Sequence, residues 1–237
     1  QHLKKMKKIK ILCTICARKG SKGLKNKNLL KLLDKPLIMH TIEQARMIKY
    51  FNKIIVSSDS KKIIEISKNK VDHCILRPKK LSNDQSSKVD AIQHALLMSE
   101  NKFNQSFDLI VDLDVTSPLR STNDISKAIK MFLKKKPGNL VSGTEAKKNP
   151  YFNQVMFRNN KLSVVKKPKK RIVRRQDAPK IFDLNASIYI WSRKNLLSSK
   201  RLINEKTIFY KMPSISSIDI DNKLDFMMVS YILKKKL

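Results

Sequence analysis

The sequence predicts an α/β fold in which a largely parallel sheet lies between layers of helices. Two observations support this class. Short apolar runs typical of strands alternate with segments of helical periodicity along most of the chain. The 237 residues, 41% of them hydrophobic, are enough for one large domain, or for a domain with a sizeable insertion, around a real core.

The elements of the first half follow from their apolar spacing. "IKILCTICA" is predicted to be the first strand, and "PLIMHTIEQARMIKY" the first helix, with Pro36 in its first turn. "KIIVSSD" is the next strand, and a short amphipathic helix follows it. "SNDQSSKVDAIQHALLMSE" is predicted to be a helix capped by Ser82, with Gln85 three residues later.

In the second half, the alternation of strands and helices is interrupted. "FDLIVDLDV" is predicted to be a central strand, followed by "TSPLRSTND" and a helix in which Asp124 favours the N-terminus. From about Asn139 to Lys180, short β-like pieces predict an antiparallel excursion that serves an oligomer contact. The α/β pattern returns with "ASIYIWS", a short helix, "TIFYKM" and "SSIDID". A terminal helix through Leu224, Met228 and Tyr231 then follows.

The ends of the chain and its cysteines bear on compartment. Residues 1–5 read as a cloning remnant or an unprocessed leader, so a single domain is predicted over 6–237 with Met6 as the natural start. A signal peptide is rejected because Arg18 and Lys19 stand where small cleavage-site residues belong. No apolar run approaches the length of a membrane span. Three cysteines without metal-ligand spacing indicate reduced thiols and a cytoplasmic protein: Cys13, Cys16 and Cys74.

The net charge of +33 makes nucleic acid, an anionic membrane face or an acidic substrate the obvious partners. The lysines are spread along the whole chain and far outnumber the arginines, however, which favours a compositional origin over a nucleic-acid groove. We therefore expect no specific nucleic acid and no membrane among the partners. A nucleic-acid-binding module stays the alternative, and it requires salt-sensitive affinity.

One loop concentrates positive charge around two glycines. The stretch "CTICARKGSKGLKNKNLLKLLDKP", residues 13 to 36, leaves a predicted buried strand and enters a glycine- and lysine-rich segment. It lacks both GxGxxG and GxxxxGK[ST], so neither a dinucleotide fingerprint nor a P-loop is indicated. A glycine loop at the carboxyl end of a parallel strand lets backbone N–H groups approach an anion while cationic side chains neutralise it. The alternatives are a polyphosphate site and a solvated loop.

The residues of this loop resemble a known family. "CARKGSKGLKNKNLLKLLDKPLIMHTIEQA" is similar to the signature loop of the acylneuraminate cytidylyltransferases. Six further blocks follow in the family's order over nearly the whole chain: "IIVSSDS", "LRPKKLSNDQSS", "TSPLRSTNDI", "RRQDAPKIF", "NASIYI" and "SIDIDNKLDF". The related 3-deoxy-manno-octulosonate enzymes usually have a shorter loop, so "SKGLKNKNLLKLLDKPL" favours the nonulosonate branch.

The resemblance implies a fold, a reaction and an assembly. The fold is a three-layer α/β/α nucleotidyltransferase with a Rossmann-like, mixed but mostly parallel sheet, and the antiparallel excursion serves dimerisation in a homodimer. The reaction joins CTP to a nonulosonic acid such as a sialic acid, giving the CMP-sugar and pyrophosphate, with Mg²⁺ or Mn²⁺ as cofactor. The alternatives are a cytidylyltransferase for another acidic 2-keto sugar, such as 3-deoxy-manno-octulosonate, and a catalytically silent relative that serves as an interaction protein.

The resemblance also implies roles for individual residues. The catalytic residues are Arg18, Lys27, Asp219 and Asp221, and the two aspartates are the metal ligands. CTP-binding positions are Arg18, Gly20, Ser21, Lys27, Asn28, Arg77 and Ser87. Sugar-binding positions are Asp114, Thr116, Ser117, Arg175, Gln176 and Asn185.

Two features of these positions can be argued from the residues themselves. In a strand end, Asp219 and Asp221 point to one side while Ile218 and Ile220 point to the core, although Asp221 could instead cap the last helix. Many members have Gln-Pro before "TSPLR", where this chain has Asp114 and Val115, so a carboxylate is expected near the substrate. Family positions are also changed at Asp183 and Ser187. These departures favour a change in which sugar is used.

Overall fold

The computed structural model describes residues 8–20, 23–83, 86–168 and 172–235. The predictions that concern Met6, Ser21 and Gln85 lie outside these residues. The strands are β1 (Ile11–Cys16), β2 (Lys31–Leu32), β3 (Lys35–Pro36), β4 (Lys53–Ser58), β5 (His73–Leu76), β6 (Leu109–Leu113), β7 (Asn139–Glu145), β8 (Val155–Arg158), β9 (Lys161–Val164), β10 (Phe182–Ser192) and β11 (Thr207–Lys211). The helices are α1 (Leu37–Arg46), α2 (Lys61–Ser67), α3 (Lys88–Phe103), α4 (Thr122–Lys135), α5 (Arg193–Ser198) and α6 (Lys223–Lys235).

Seven strands form one mixed sheet in the order β11-β7-β10-β6-β1-β4-β5. The strand β10 is antiparallel to both of its neighbours, and the other pairs in the sheet are parallel. Residues on the two faces of the sheet belong to two separate apolar clusters, each covered by helices. The predicted three-layer, mostly parallel α/β/α fold is therefore confirmed.

The alternation of side chains along β1 shows why this strand is apolar at every position except Thr14. Ile11, Cys13 and Ile15 pack into one cluster, while Leu12 belongs to the other. The half-buried thiol of Cys16 also packs against that second cluster, so the two thiols of "CTIC" face opposite layers, as predicted. A strand covered on both faces by helices must be apolar at nearly every position, and its polar functions come after its end.

The start of α3 differs from the prediction. Its cap is Ser87, whose hydroxyl accepts a hydrogen bond from the backbone N–H of Asp90, and not Ser82. The hydroxyl of Ser82 is used elsewhere, because it accepts from Nε of Arg77 and donates to a backbone carbonyl. In α4 the predicted role of Asp124 is confirmed, since Ser121 and Asp124 form a reciprocal capping box.

The antiparallel excursion is smaller than predicted. The segment Asn139–Glu145 is β7 of the main sheet, so the predicted boundary near residue 139 is wrong. The first five residues of this segment are buried, which suits an interior strand. Within the predicted excursion, the described residues of β8 and β9 form a two-stranded sheet of their own, whose role in dimerisation stays a prediction.

The predicted terminal helix is confirmed as α6, although the residues named for it are not the ones that meet the core. Leu224, Met228 and Tyr231 are 67%, 43% and 64% exposed, whereas Val229 is fully buried. Apolar residues occur on both sides of α6, so periodicity alone could not identify the face that meets the core. Of the helices in the described part of the chain, none combines the length and apolarity needed to cross a bilayer.

Candidate active site

A cavity of about 400 Å³ opens at the carboxyl ends of β1 and β6. Four chain segments meet there: the glycine loop after β1, the stretch from Arg77 to α3, the turn after β6 and the stretch before α6. They bring together many of the residues predicted from the sequence, namely Arg18, Gly20, Lys27, Asn28, Arg77, Ser87, Asp114, Thr116, Asp219 and Asp221. Side chains far apart in the chain thus share one site.

Four predicted sugar-binding residues do not line this cavity. Ser117 is fully buried next to the turn after β6. Arg175 and Gln176 lie in a short 3₁₀ turn, where the Arg175 guanidinium donates to the carbonyl of Ala146 at 3.1 Å. Asn185 is buried among the side chains of Ser142, Met212 and Ser217. The structure therefore gives Asn185 a packing role between β7, β10 and the segment before Asp219.

The glycine loop is tied directly to the acidic segment across the cavity. Nζ of Lys27 lies 2.9 Å from Oδ1 of Asp221. The amide of Asn28 donates to the carbonyl of Arg18 at 2.9 Å, which holds the two ends of the loop together. The Lys27 side chain is only 12% exposed, whereas Asp221 is 73% exposed. A partly buried ammonium with an exposed, movable counter-ion is well placed to exchange that partner for an incoming phosphate.

Gly23 allows the glycine loop to approach this segment closely. A Cβ at position 23 would overlap the backbone carbonyl oxygen of Asp221, whereas a Cβ at Gly20 would meet nothing within 4 Å. The loop and the acidic segment can therefore lie together only if residue 23 has no side chain.

We expect Gly23→Ala to weaken CTP binding and turnover much more than Gly20→Ala, because only the former forces Lys27 and Asp221 apart. Calorimetric titration with CTP and steady-state turnover of both variants measure the difference. Both variants should melt within a few degrees of the unsubstituted protein, since the strain falls on a surface loop. Equal losses from the two alanines would contradict the role given to the close approach.

Asp219 is a carboxyl group of the cavity with a raised pKa. Burial raises its pKa to about 6, and the charges of Asp114 and Asp221 add to the effect, while Thr116 and Lys27 oppose it. Its buried Oδ1 has no hydrogen-bond partner within the described residues. Unsatisfied buried carboxylate oxygens are costly unless a cation or donor reaches them. A ligand that supplies positive charge therefore suits this position.

The acidic pair fits a hard divalent cation that keeps other ligands. Asp219 and Asp221 both line the cavity, and Mg²⁺ is commonly held by one or two carboxylates together with water and phosphate oxygens. The described residues contain no group of three His, Cys, Asp or Glu side chains arranged for a metal ion. The side chain that caps α6 is Asn222, whose Oδ1 accepts from the backbone N–H of Asp225, so Asp221 is not the helix cap.

Lys88 is a cavity residue that the sequence reasoning missed. Its Nζ lies 2.6 Å from Oδ2 of Asp114 and 3.1 Å from Oδ2 of the fully buried Asp112. Burial alone would lower the pKa of the ammonium, but Asp114 and Asp112 raise it above its ordinary value. The available signal was a lysine in the first turn of a helix, where the dipole disfavours positive charge.

Asp114 is held as an ionised, structured group. Burial alone would raise its pKa, but the Lys88 charge and hydrogen bonds from Lys88 and Thr116 hold the pKa well below its usual range. The backbone N–H and the hydroxyl of Thr116 both donate to Oδ1, at 3.0 and 2.9 Å. The carboxylate expected at this position is present and lines the cavity, with its charge balanced by a neighbour.

Comparison with known proteins identifies the family. Residues 12–227 match the sequence profile of the family described as Cytidylyltransferase. This chain belongs to the cytidylyltransferase family. The resemblance noted in the sequence is thereby confirmed, and the protein is a CTP-dependent enzyme.

Two curated relatives and one solved structure show which cytidylyltransferases this chain is similar to. A CMP-N,N'-diacetyllegionaminic acid synthase of Campylobacter jejuni is 41% identical over 227 residues, which cover 95% of this chain and 96% of the relative. An N-acylneuraminate cytidylyltransferase of Streptococcus agalactiae is 35% identical over 93% of this chain and 52% of its own length. The structure of CMP:2-keto-3-deoxy-manno-octonic acid synthetase complexed with CTP has a TM-score of 0.69 at 16% identity, covering 96% of this chain and all of that chain. This last likeness shows a shared fold.

Proposed function

We propose that this cytidylyltransferase couples CTP to a nonulosonic acid of the sialic type, in the cytoplasm, and releases pyrophosphate and the CMP-sugar. The observation that supports this most is the meeting of the basic glycine loop and the Asp219–Asp221 pair across a single cavity. Two relatives at 35% and 41% identity are named for N-acylneuraminate and N,N'-diacetyllegionaminic acid, both nonulosonic acids. The phosphates of the nucleotide need cationic side chains, and a divalent ion bound beside them needs hard oxygen ligands. The cavity brings both kinds of group together.

The triphosphate of CTP is proposed to lie on the glycine loop. Arg18 and Lys27 line the cavity there and supply two positive charges for phosphate oxygens. On binding, Lys27 exchanges its contact with Asp221 for phosphate, so the pairing seen at 2.9 Å preorganises the ammonium. Arg77, which is 5% exposed and held by Ser82, forms the opposite wall for the nucleotide.

We propose that Asp219 and Asp221 hold Mg²⁺ or Mn²⁺. When bound there, the ion supplies positive charge that offsets the charge on the phosphate oxygens during transfer. Release of Lys27 from Asp221 frees that exposed carboxylate for the ion, while Asp219 contributes its buried oxygen, which has no partner among the described residues. The two carboxylates and the loop cations thus act on opposite sides of the same phosphate chain.

The reaction is a substitution at the α-phosphorus. The anomeric hydroxyl oxygen of the sugar forms a bond to the α-phosphorus, and the bond from that phosphorus to the oxygen bridging to the β-phosphorus breaks. Pyrophosphate leaves with the electron pair, and the proton of the sugar hydroxyl passes to solvent water. Residues that are already in place, Arg18 and Lys27, stabilise the charge on the leaving group without reorganisation.

A homodimer is part of this proposal, and the β8–β9 hairpin is its contact. Val155, Phe157 and Leu162 on the hairpin are 55%, 74% and 61% exposed. A two-stranded hairpin without a core of its own is marginal in water, so apolar side chains on it need a cover.

We expect light scattering at micromolar concentration to give twice the chain mass. The substitution Phe157→Asp, which puts a charge in the contact, should shift the mass toward the monomer. A matched change at the exposed Met47 of the main domain should leave it unchanged. A monomeric unsubstituted protein under these conditions would contradict the dimer.

The substrate assignment is tested by pyrophosphate release. CTP, UTP and ATP are each offered with N-acetylneuraminic acid, N,N'-diacetyllegionaminic acid, pseudaminic acid and 3-deoxy-manno-octulosonic acid. The proposal predicts release only with CTP and one or more of the three nonulosonic acids. Preference for 3-deoxy-manno-octulosonic acid, or no release with any acid, would overturn it.

A further inference from the structure

We propose that Lys88 and Asp114 form a specificity pair, in which Lys88 positions the Asp114 carboxylate to accept an N–H or O–H group of the sugar acid. This inference rests on the proposed function and assigns a role to a residue outside every motif of the loop and of the acidic segment. Asp114 is the group that contacts the substrate, and Lys88 is a positioning residue. The pair would select an amide or hydroxyl donor and direct the sugar carboxylate elsewhere.

The contacts of Lys88 show that it acts through its neighbours. Its Nζ donates to Oδ2 of Asp114 at 2.6 Å and to the carbonyl of Ala186 at 3.4 Å, and it lies 3.1 Å from Oδ2 of Asp112 in an ion pair. Two of the three ammonium donors are therefore used within the protein, and the nearby Asp112 charge holds the ammonium toward β6. The ammonium also lies 4.9 Å from the centre of the Tyr189 ring, which adds a favourable contact. Lys88 is therefore held on several sides in a single place.

The charge balance explains why a lysine stands at this helix start. Asp112 is fully buried in β6, and Asp114 follows two residues later, so two carboxylates approach each other at the strand end. Lys88 offsets the charge of both, which outweighs the unfavourable position of a cation at a helix N-terminus. The carboxylate of Asp114 is the one that faces the cavity.

The hydrogen bonds of Asp114 determine what it can recognise. A carboxylate has about four acceptor sites, and Lys88 and the two donors of Thr116 occupy three of them. The remaining site can accept from a ligand, and an ionised carboxylate has no hydrogen to donate. A carbonyl or carboxylate oxygen of a substrate would be repelled here, while an N–H or O–H would be bound.

The position of Asp114 relative to the other charges of the cavity favours contact with the sugar rather than with the nucleotide. The cations of the glycine loop are the natural place for phosphates, whereas Asp114 is an ionised carboxylate that would repel a phosphate oxygen. An N-acylated sugar acid carries amide and hydroxyl donors at one end and a carboxylate at the other. The pair would orient such a molecule with its donor end on Asp114.

The first test separates sugar use from CTP binding. We expect Asp114→Asn to lower kcat/KM for the preferred nonulosonic acid by about tenfold or more, because a donor replaces part of the acceptor set. Lys88→Met should do the same, and Lys88→Arg should restore part of the loss. The Kd of CTP, measured by calorimetry without sugar, should change by less than about threefold in all three variants. Lys61→Met is the matched control, since Lys61 is also the first residue of a serine-capped helix but is exposed, and it should leave both quantities unchanged.

The second test measures substrate selectivity. It keeps the proposal testable if Lys88→Met fails to fold, since that substitution removes the cation beside Asp112. In Asp114→Asn, Lys88 still pairs with Asp112, so this variant keeps the buried charge balanced. Analogues of the preferred acid that lack one hydroxyl or one N-acyl group are compared in pairs. With the unsubstituted enzyme, kcat/KM for one analogue should be at least tenfold lower than kcat/KM for the preferred acid. With Asp114→Asn, the same comparison should give a much smaller difference. Unchanged selectivity, or a loss of CTP affinity equal to the loss of sugar use, would overturn the pair. An unsubstituted enzyme that used no nonulosonic acid would instead refute the proposed function.

Discussion

Replacing Asp219 or Asp221 with asparagine should lower turnover by a factor on the order of a hundred or more, the scale for losing a main electrostatic stabiliser. Both carboxylates line the cavity, and Asp219 has a buried oxygen without a partner in the described structure. Steady-state pyrophosphate release at saturating CTP and Mg²⁺ measures the loss. Asp225→Asn is the control, because Asp225 accepts hydrogen bonds at the start of α6 and does not line the cavity.

Thermal melting distinguishes a functional role of Asp219 from a structural one. The pKa of Asp219 is raised from 3.8 to about 6 in the folded protein, so the folded state binds this proton more tightly than the unfolded chain. Its ionisation therefore lowers stability as pH rises from about 4 to about 6. Asp219→Asn should raise the metal-free Tm above pH 6, by about 2 to 4 °C for each kcal/mol recovered, and change it little near pH 4. Near-normal turnover of both single variants would mean that the pair is structural.

Replacing Lys27 with alanine should weaken CTP binding by about ten- to a hundredfold, which is the scale of a hydrogen bond to a charged group. Lys27 is 12% exposed, lines the cavity and faces Asp221 across it. Lys25, two residues earlier, is exposed and is not part of the cavity lining, so Lys25→Ala should change the Kd by less than about threefold. Calorimetry of both variants at one salt concentration gives the comparison.

The pair of lysine variants also tests the alternative explanation of the loop. If the loop only carried solvated charge, the two alanines would weaken CTP binding equally, and raising the salt concentration would remove both effects. A specific site predicts that the difference between Lys27→Ala and Lys25→Ala persists at higher salt. Equal Kd values would leave the glycine loop without its proposed role.

The fold could be predicted because its rules are local. Strands covered on both sides are apolar, helices have a repeating face, and the change between these patterns indicates the α/β class. The opposite directions of Cys13 and Cys16 follow from the two-residue period of a strand, and the structure confirms them. The glycine loop and the acidic segment were found through ordered motifs, and the cavity brings them together.

The wrong predictions concern positions where several residues suit the same role and only the tertiary contacts decide between them. Ser82 and Ser87 both suit a helix cap, and only the fold shows that Ser82 is engaged with Arg77. Leu224 and Val229 both lie on apolar stripes of α6, and the core selects the second. The sequence does not distinguish Lys88 from the many other lysines. Its role depends on Asp112 and Asp114, which the fold brings next to it at the end of β6.

The most direct test of the account is ³¹P NMR of the protein with CTP, Mg²⁺ and N,N'-diacetyllegionaminic acid or N-acetylneuraminic acid. The account predicts that the three CTP resonances give way to pyrophosphate and a phosphodiester of CMP in equal amounts. It also predicts that Asp219→Asn slows this conversion by about a hundredfold or more. Conversion of CTP to CDP and phosphate, or resonances that stay unchanged with every nonulosonic acid, would contradict it.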